Sequence, residues 1–229
     1  MSEQTEPAAA AVLDALRDVA RLGGFFALPV APDGTGRGSA ESFTEGFAER
    51  AREVNRRFGT DEARVGVSIV HLGLAARLWS PLLACAVLHG IVPVLSHPEW
   101  VDGSSEIRLR TPPTGRDVRQ LPHLADALLE QVTVPLAAVE RALDVKIAPR
   151  LLDGNVASAL VGSAAVLQRA RPDTRPVLTP LIGQLLATGR LVGTGTVTGP
   201  GPTFRRRSCC LLYRASAGSL CGDCCLARP

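Results

Sequence analysis

Five of the six cysteines in this 229-residue chain crowd its last part, as Cys209, Cys210, Cys221, Cys224 and Cys225, while Cys85 stands alone. Ten residues separate Cys210 from Cys221, which gives the pattern C-C-x10-C-x2-C. Neighbouring residues of an extended chain point to opposite faces, so Cys209 and Cys210 share a site only if the chain bends there. The step Cys221-Gly222-Asp223-Cys224 is a C-x2-C turn with glycine. Such a turn brings two sulfurs within reach of one metal ion, an arrangement common to zinc and iron-sulfur sites.

Whether clustered cysteines pair with one another depends on the compartment. Met1-Ser2-Glu3-Gln4-Thr5-Glu6 lacks the basic start of a secretory signal, and the apolar stretch after it is interrupted by Asp14, Arg17 and Asp18. A cytoplasmic location is expected, where thiols, metal ligands or redox groups are favoured over a disulfide framework. The stretch from Trp79 to Leu95 is apolar but contains Pro81, His89, Gly90 and Pro93. A spanning helix needs about 20 mostly apolar residues, so the reading is a buried helix with a turn and at most peripheral membrane contact. A formal charge of +3 and 4% aromatic residues give no support to a nucleic-acid partner.

With 46% hydrophobic residues the chain can bury one sizeable core and carry a small appended module. Ala8 to Leu22 repeats apolar residues at helical spacing and ends at Gly23-Gly24; a loop rich in Gly, Pro and Ser follows through Ser39. Glu41 to Phe58 reads as an amphipathic helix closed by Gly59. Ala63 to Trp79 is apolar nearly all round and central to the core; its opening alternation of Val65, Val67 and Ile69 also suits a strand, but its length favours helix. Ile107 to Arg110 reads as a short half-exposed strand before Pro112-Pro113. A helical stripe then runs from Leu124 to Leu143, with a kink or junction expected at Pro135.

A further helix is expected from Asp153 as N-cap, carrying small residues such as Ala157, Ser158, Gly162 and Ala164 that let another helix approach closely. Thr179 to Thr188 reads as the last helix, Leu191 to Val197 as a strand, and Gly199-Pro200-Gly201-Pro202 as a hinge or turn. The expected fold is therefore mainly α (α+β), a helical body over residues 1–190 with a C-terminal strand and loop module over 191–229.

Within that module, zinc ribbons usually present two spaced pairs, which lowers the case for zinc. Plant-type ferredoxin spacing is absent, and no histidine follows His123, so a Rieske arrangement is excluded. Charge favours an iron cluster: two ferric ions, two sulfides and four thiolates make a doubly negative group, triply negative after one-electron reduction. Arg205, Arg206, Arg207 and Arg214 flank the first two cysteines, where they can ease reduction and attract an anionic partner; a solvated basic loop is the plainer reading of each.

The segment Phe204-Arg205-Arg206-Arg207-Ser208-Cys209-Cys210-Leu211-Leu212-Tyr213-Arg214, followed by Cys221-Gly222-Asp223-Cys224, resembles the C-terminal signature of the FhuF-type ferric-siderophore reductases. Weaker likeness extends to Gly154-Asn155-Val156-Ala157-Ser158-Ala159-Leu160 and Leu72-Gly73-Leu74-Ala75-Ala76-Arg77-Leu78. The resemblance implies a 2Fe-2S cluster on Cys209, Cys210, Cys221 and Cys224 and one-electron reduction of a ferric siderophore, with the hydroxamate type as one candidate. Arg205, Arg206, Arg207 and Arg214 are then candidate docking residues for substrate or partner. Cys225 departs from the pattern, as an alternative to Cys224 or an oxidisable neighbour.

No dinucleotide-binding glycine motif, P-loop or nucleophile elbow is present in the sequence. Electrons must then come from an external donor, such as a ferredoxin, a flavin reductase or a soluble reductant. Two rival readings stand beside this one: a structural zinc knuckle in an interaction protein, and an iron-sulfur sensor or carrier that reduces no siderophore. Cys85 reads as a small buried hydrophobe. His71, His89, His97 and His123 show no paired ligand spacing, and Asn155 is expected to cap its helix or hold a loop.

Overall fold

The computed structural model describes residues 7–31, 40–95, 97–110, 112–199, 201–215 and 220–227. The sequence readings that touch the first six residues, the loop of residues 32–39, Pro200, and residues 216–219 between the cysteine pairs lie in part outside that set. Helix takes 60% of the structure and strand 10%, the mainly α balance expected.

Among the described residues six α-helices carry the body: α1 (Ala9–Ala20), α2 (Ala40–Arg57), α3 (Ala63–Ala84), α4 (Leu124–Arg141), α5 (Pro149–Ala170) and α6 (Arg175–Leu186). α3 forms the centre and packs most extensively against α5, then against α2. Its apolar residues leave little solvent face because neighbours cover it on several sides: Leu78, Trp79, Leu82, Leu83 and Ala84 are fully buried. Full burial of one large apolar side chain contributes roughly 1.5–3 kcal/mol, so this run anchors the core.

Of the small residues of α5, Ala157 and Ala164 line the close interface, whereas Gly162 is exposed and Ser158 half-buried. Ala157 and Ala164 are wholly buried, and polar groups cross the close interface, with the Trp79 indole N–H donating to the Val156 carbonyl (3.1 Å) and Ser80 and Ser163 hydroxyls sharing a bond (2.8 Å). Gly66 serves the other side of α3: a Cβ there would run into the Ala51 carbonyl oxygen of α2 and lie 2.7 Å from Asn55 Oδ1.

The apolar stretch after Trp79 stays helical to Ala84, continues as a π-helical turn over Cys85–His89, and ends at Gly90 in the left-handed region (φ +67°). By length and composition alone, Ala63–His89 and Pro149–Ala170 could each cross a membrane, and 72% and 67% of their most apolar windows are buried inside this structure, as in core helices.

Three two-stranded antiparallel sheets complete the fold: β1 (Ile91–Pro93) with β4 (Gly115–Asp117), β2 (Glu99–Trp100) with β3 (Ile107–Arg108), and β5 (Gly195–Thr198) with β6 (Thr203–Arg206). In the last hairpin Gly195 faces Arg206 and Val197 faces Phe204. A Cβ at Gly195 would collide with the Phe204 ring, so glycine there lets that ring fold over the strand and join the main core.

Several boundaries differ from expectation. α4 runs through Pro135 as one helix, which leaves the kink of the two expected alternatives and removes the junction. α5 starts at Pro149, not at Asp153: proline at the first helical position loses no hydrogen bond, and Asp153 is left free to bind Arg190 (2.7 Å). α6 starts at Arg175, four residues before Thr179, again with proline in its first turn. Leu191 belongs to a 3-10 turn over Gly189–Leu191, and the strand begins only at Gly195, because Gly189 and Gly193 take positive φ and interrupt an extended run.

Candidate functional site

The β5–β6 hairpin delivers the chain to Cys209 and packs on α5 through β6. Strand alternation places Arg206 on the same inward side as Phe204, and the structure buries it to 1% exposure. The Arg206 backbone N–H donates to the Asp223 carbonyl (3.1 Å), tying the end of β6 to the Cys221–Cys224 turn. That turn is closed by the Cys224 N–H on the Cys221 carbonyl (3.2 Å). Both cysteine segments are thus held against the same strand end.

The chain bends directly after the Cys209-Cys210 pair rather than between its two members. Leu211 is the one non-glycine residue with positive φ (+67°) among the described residues, which turns the chain directly after the pair. A left-handed leucine is strained and persists where surroundings over-determine it. Here the turn brings the Leu211 N–H onto Cys209 Sγ (3.3 Å). The second segment repeats the device, with the Leu226 N–H on Cys224 Sγ (3.3 Å).

Cys210 and Cys224 are buried, and Cys209, Cys221 and Cys225 are half-buried; all are free thiols. Burial raises the Cys221 pKa, and its hydrogen bond with Cys210 and the nearby Asp223 carboxylate raise it further. Cys225 is also raised, by burial and then by Cys209 and Cys224, with Arg206 acting in the opposite direction. The thiols therefore lie close enough to oppose one another's ionisation, the condition a bound metal cation relieves. Cys85 is different: burial pushes its thiol up to about 12, it sits in the main core, and it packs as the inert hydrophobe expected.

A buried polar chain supports the module from below. The Ser68 hydroxyl on α3 donates to the Cys210 carbonyl (2.8 Å), and Asn155 Nδ2 on α5 donates to the Ser68 carbonyl (2.9 Å) and hydroxyl (3.2 Å). Asn155 Oδ1 in turn accepts from Arg206 Nη2 (2.8 Å), which also reaches the Leu151 carbonyl (3.3 Å). Gly154 makes room for this: a Cβ there would lie 2.9 Å from Arg206 Nη2 and would strike the Ser208 hydroxyl. Asn155 is wholly buried and caps no helix, so its expected capping role is replaced by that of a joint between α3, α5 and β6.

Of the candidate docking arginines, Arg206 is corrected by this burial and cannot meet a partner at the surface. Arg205 is half-buried and donates to the Ala227 carbonyl (2.6 Å). Arg207 is exposed, with a long bond to the Gly193 carbonyl (3.4 Å). Arg214 is exposed and pairs with Glu62 at the start of α3 (2.6 Å) while its Nε reaches the Tyr213 hydroxyl (3.2 Å). Beside Glu62 a cleft of about 620 Å³ opens, lined by Arg64, Val145, Lys146, Ile147 and Pro149.

Sequence reading passed over Ser68 and the inward side of Arg206, and gave Asn155 a cap or loop role rather than that of a joint. The signals were a serine and an asparagine inside otherwise apolar or small-residue helices, and the period-two relation of Arg206 to Phe204. One turn along α3 from Ser68, the fully buried His71 bonds Glu140 (2.8 Å), which also pairs with Arg190 (2.9 Å). Burial lowers the His71 pKa; for Glu140, burial raises it but the bonds from His71 and Arg190 outweigh that and hold it down.

Among the described residues, no group of three or more His, Cys, Asp or Glu side chains is arranged to hold a single metal ion. Cys221 hydrogen-bonds Cys210, and Cys225 lies near Cys209 and Cys224. Among the described residues, Arg206 Nε and Nη1 and the Ser208 hydroxyl are buried without a partner, which suits an anionic guest, while Asp223 Oδ2 on the Cys221–Cys224 turn is a buried acceptor without one. Compared with known proteins, the chain matches no family model, no curated protein and no solved structure.

Proposed function

We propose that this protein is a cytoplasmic 2Fe-2S electron-transfer enzyme that reduces ferric siderophores, with Cys209, Cys210, Cys221 and Cys224 as cluster ligands. The observation that carries the reading is the convergence of both cysteine segments on the end of β6, with a backbone N–H directed at Cys209 and another at Cys224. The likeness of Phe204 to Cys224 to the FhuF-type signature supports it. When bound, such a cluster supplies one electron at a time, and a siderophore iron that receives it as Fe(II) is held far less tightly by hard anionic oxygen donors.

The chain's own residues set the conditions. The Leu211 and Leu226 amides hold the Cys209 and Cys224 sulfurs in place, and Ser68 holds the Cys210 backbone against α3. Arg207 and Arg214 give the outer face positive charge, and Arg64 and Lys146 extend it along the neighbouring cleft, where an anionic ferric chelate can dock. The electron comes from an external ferredoxin, flavin reductase or soluble reductant.

The test is anaerobic purification followed by iron and acid-labile sulfide analysis, electron paramagnetic resonance of the dithionite-reduced protein, and mixing with ferric hydroxamates under argon. Expected are two irons and two sulfides per chain, a reduced-state signal, and reoxidation on mixing. Stoichiometric zinc without sulfide defeats the iron-sulfur reading, and a reduced cluster that ferric hydroxamate leaves unchanged defeats the hydroxamate-reductase reading.

A further inference from the structure

Arg206 is buried to 1% exposure, yet among the described residues only Nη2 of its guanidinium has hydrogen-bond partners, while Nε and Nη1 have none. Arginine carries its charge at any working pH, and a buried cation without compensation costs several kcal/mol. No carboxylate among the described residues pairs with it: its side chain is held by the amide oxygen of Asn155 and the Leu151 carbonyl, both neutral. The guanidinium is nevertheless tied to both cysteine segments: Nη2 bonds Asn155, Asn155 bonds Ser68 and Ser68 bonds the Cys210 carbonyl, while the Arg206 backbone N–H bonds the Asp223 carbonyl in the Cys221–Cys224 turn. The orphaned Ser208 hydroxyl stands on the same side, packed with Arg206 over Gly154. A fixed cation and a free hydroxyl beneath a set of thiols form a cradle for negative charge.

We propose that Arg206 is the internal counter-cation of the cysteine site, a positioning residue held by Asn155 whose charge stabilises the added electron and raises the reduction potential. The inference rests on the iron-sulfur reading above and assigns the potential to this one residue rather than to the arginines around it. Arg207 and Arg214 are exposed, so water and salt screen their charges, whereas the charge on Arg206 acts through protein. Electron uptake here makes and breaks no bond; the electron enters from the external donor, and the chain contributes only electrostatics.

The experiment compares full-length wild type with R206Q, R206K and N155D, all purified anaerobically, by iron and sulfide content and by spectroscopic redox titration. R206Q removes the charge and is expected to lower the reduced-to-oxidised ratio at fixed poise about tenfold, or about 59 mV for one electron. R206K, which keeps the charge, restores most of that loss. N155D leaves Arg206 in place but sets a carboxylate against Nη2, and it also lowers the potential.

Loaded R206Q or N155D with the wild-type potential overturns the inference, as does R206K no better than R206Q. Should R206Q take up no iron, N155D decides. Wild type without iron or sulfide is a separate failure, that of the iron-sulfur reading itself.

Discussion

Replacing Asn155 with alanine removes three hydrogen bonds from a site with no access to water: two from Nδ2 to Ser68 and one from Arg206 Nη2 to Oδ1. The bond to the charged guanidinium contributes about 1.5–3 kcal/mol and the neutral bonds about 1 kcal/mol between them, because Ser68 Oγ also engages the Cys210 carbonyl. The expected loss is roughly 3 kcal/mol, a large part of the about 5–15 kcal/mol that holds a typical domain. Urea unfolding of metal-free protein at constant pH measures it, provided the denaturant slope stays unchanged.

A cycle with Ser68→Ala sharpens the argument. If Asn155 acts through Ser68, the double variant loses less than the sum of the singles, by about 1 kcal/mol. A loss under about 1 kcal/mol for N155A, or strict additivity with S68A, would refute the joint between α3, α5 and β6.

Gly66→Ala should destabilise by about 1–3 kcal/mol, because the added methyl meets a backbone oxygen of α2, although alanine in an open helix gains about 1 kcal/mol; a higher melting temperature for G66A contradicts the close crossing. His71 has its folded pKa lowered by burial, so below about pH 6.5 the unfolded chain binds the proton first and stability falls with pH by up to about 1.4 kcal/mol per unit. The depressed Glu140 loses its contribution at lower pH, as it protonates. His71→Gln keeps a donor for Glu140 and should flatten the first part of that slope, read by urea unfolding from pH 7 to 5. At the cysteines, C224S should abolish iron and sulfide uptake while C225S retains it, since Cys224 is the more buried thiol and accepts the Leu226 amide; the reverse result moves the fourth ligand to Cys225.

The helical body was legible because its signals are local. Apolar spacing marked α1, α2 and α4, the length of the apolar run marked α3, and small residues marked the face of α5 that meets it. Starts were less legible: Asp153 has the chemistry of an N-cap, but Pro149 begins α5 and Arg190 claims the carboxylate. That partner lies 37 residues away, beyond any local pattern.

The cysteine spacing by itself determined that Cys209 and Cys210 can share a site only through a bend, and that five thiols gather near the end of the chain. Only the tertiary structure decided which of the neighbouring arginines turns inward, because Arg205, Arg206 and Arg207 are chemically identical and differ only in strand phase and in what α5 offers beneath them. The side chain over Gly154 finds a buried amide; its neighbours find a terminal carbonyl or water. Charge is written in the sequence, but the dielectric around that charge is set by packing between segments far apart in the chain.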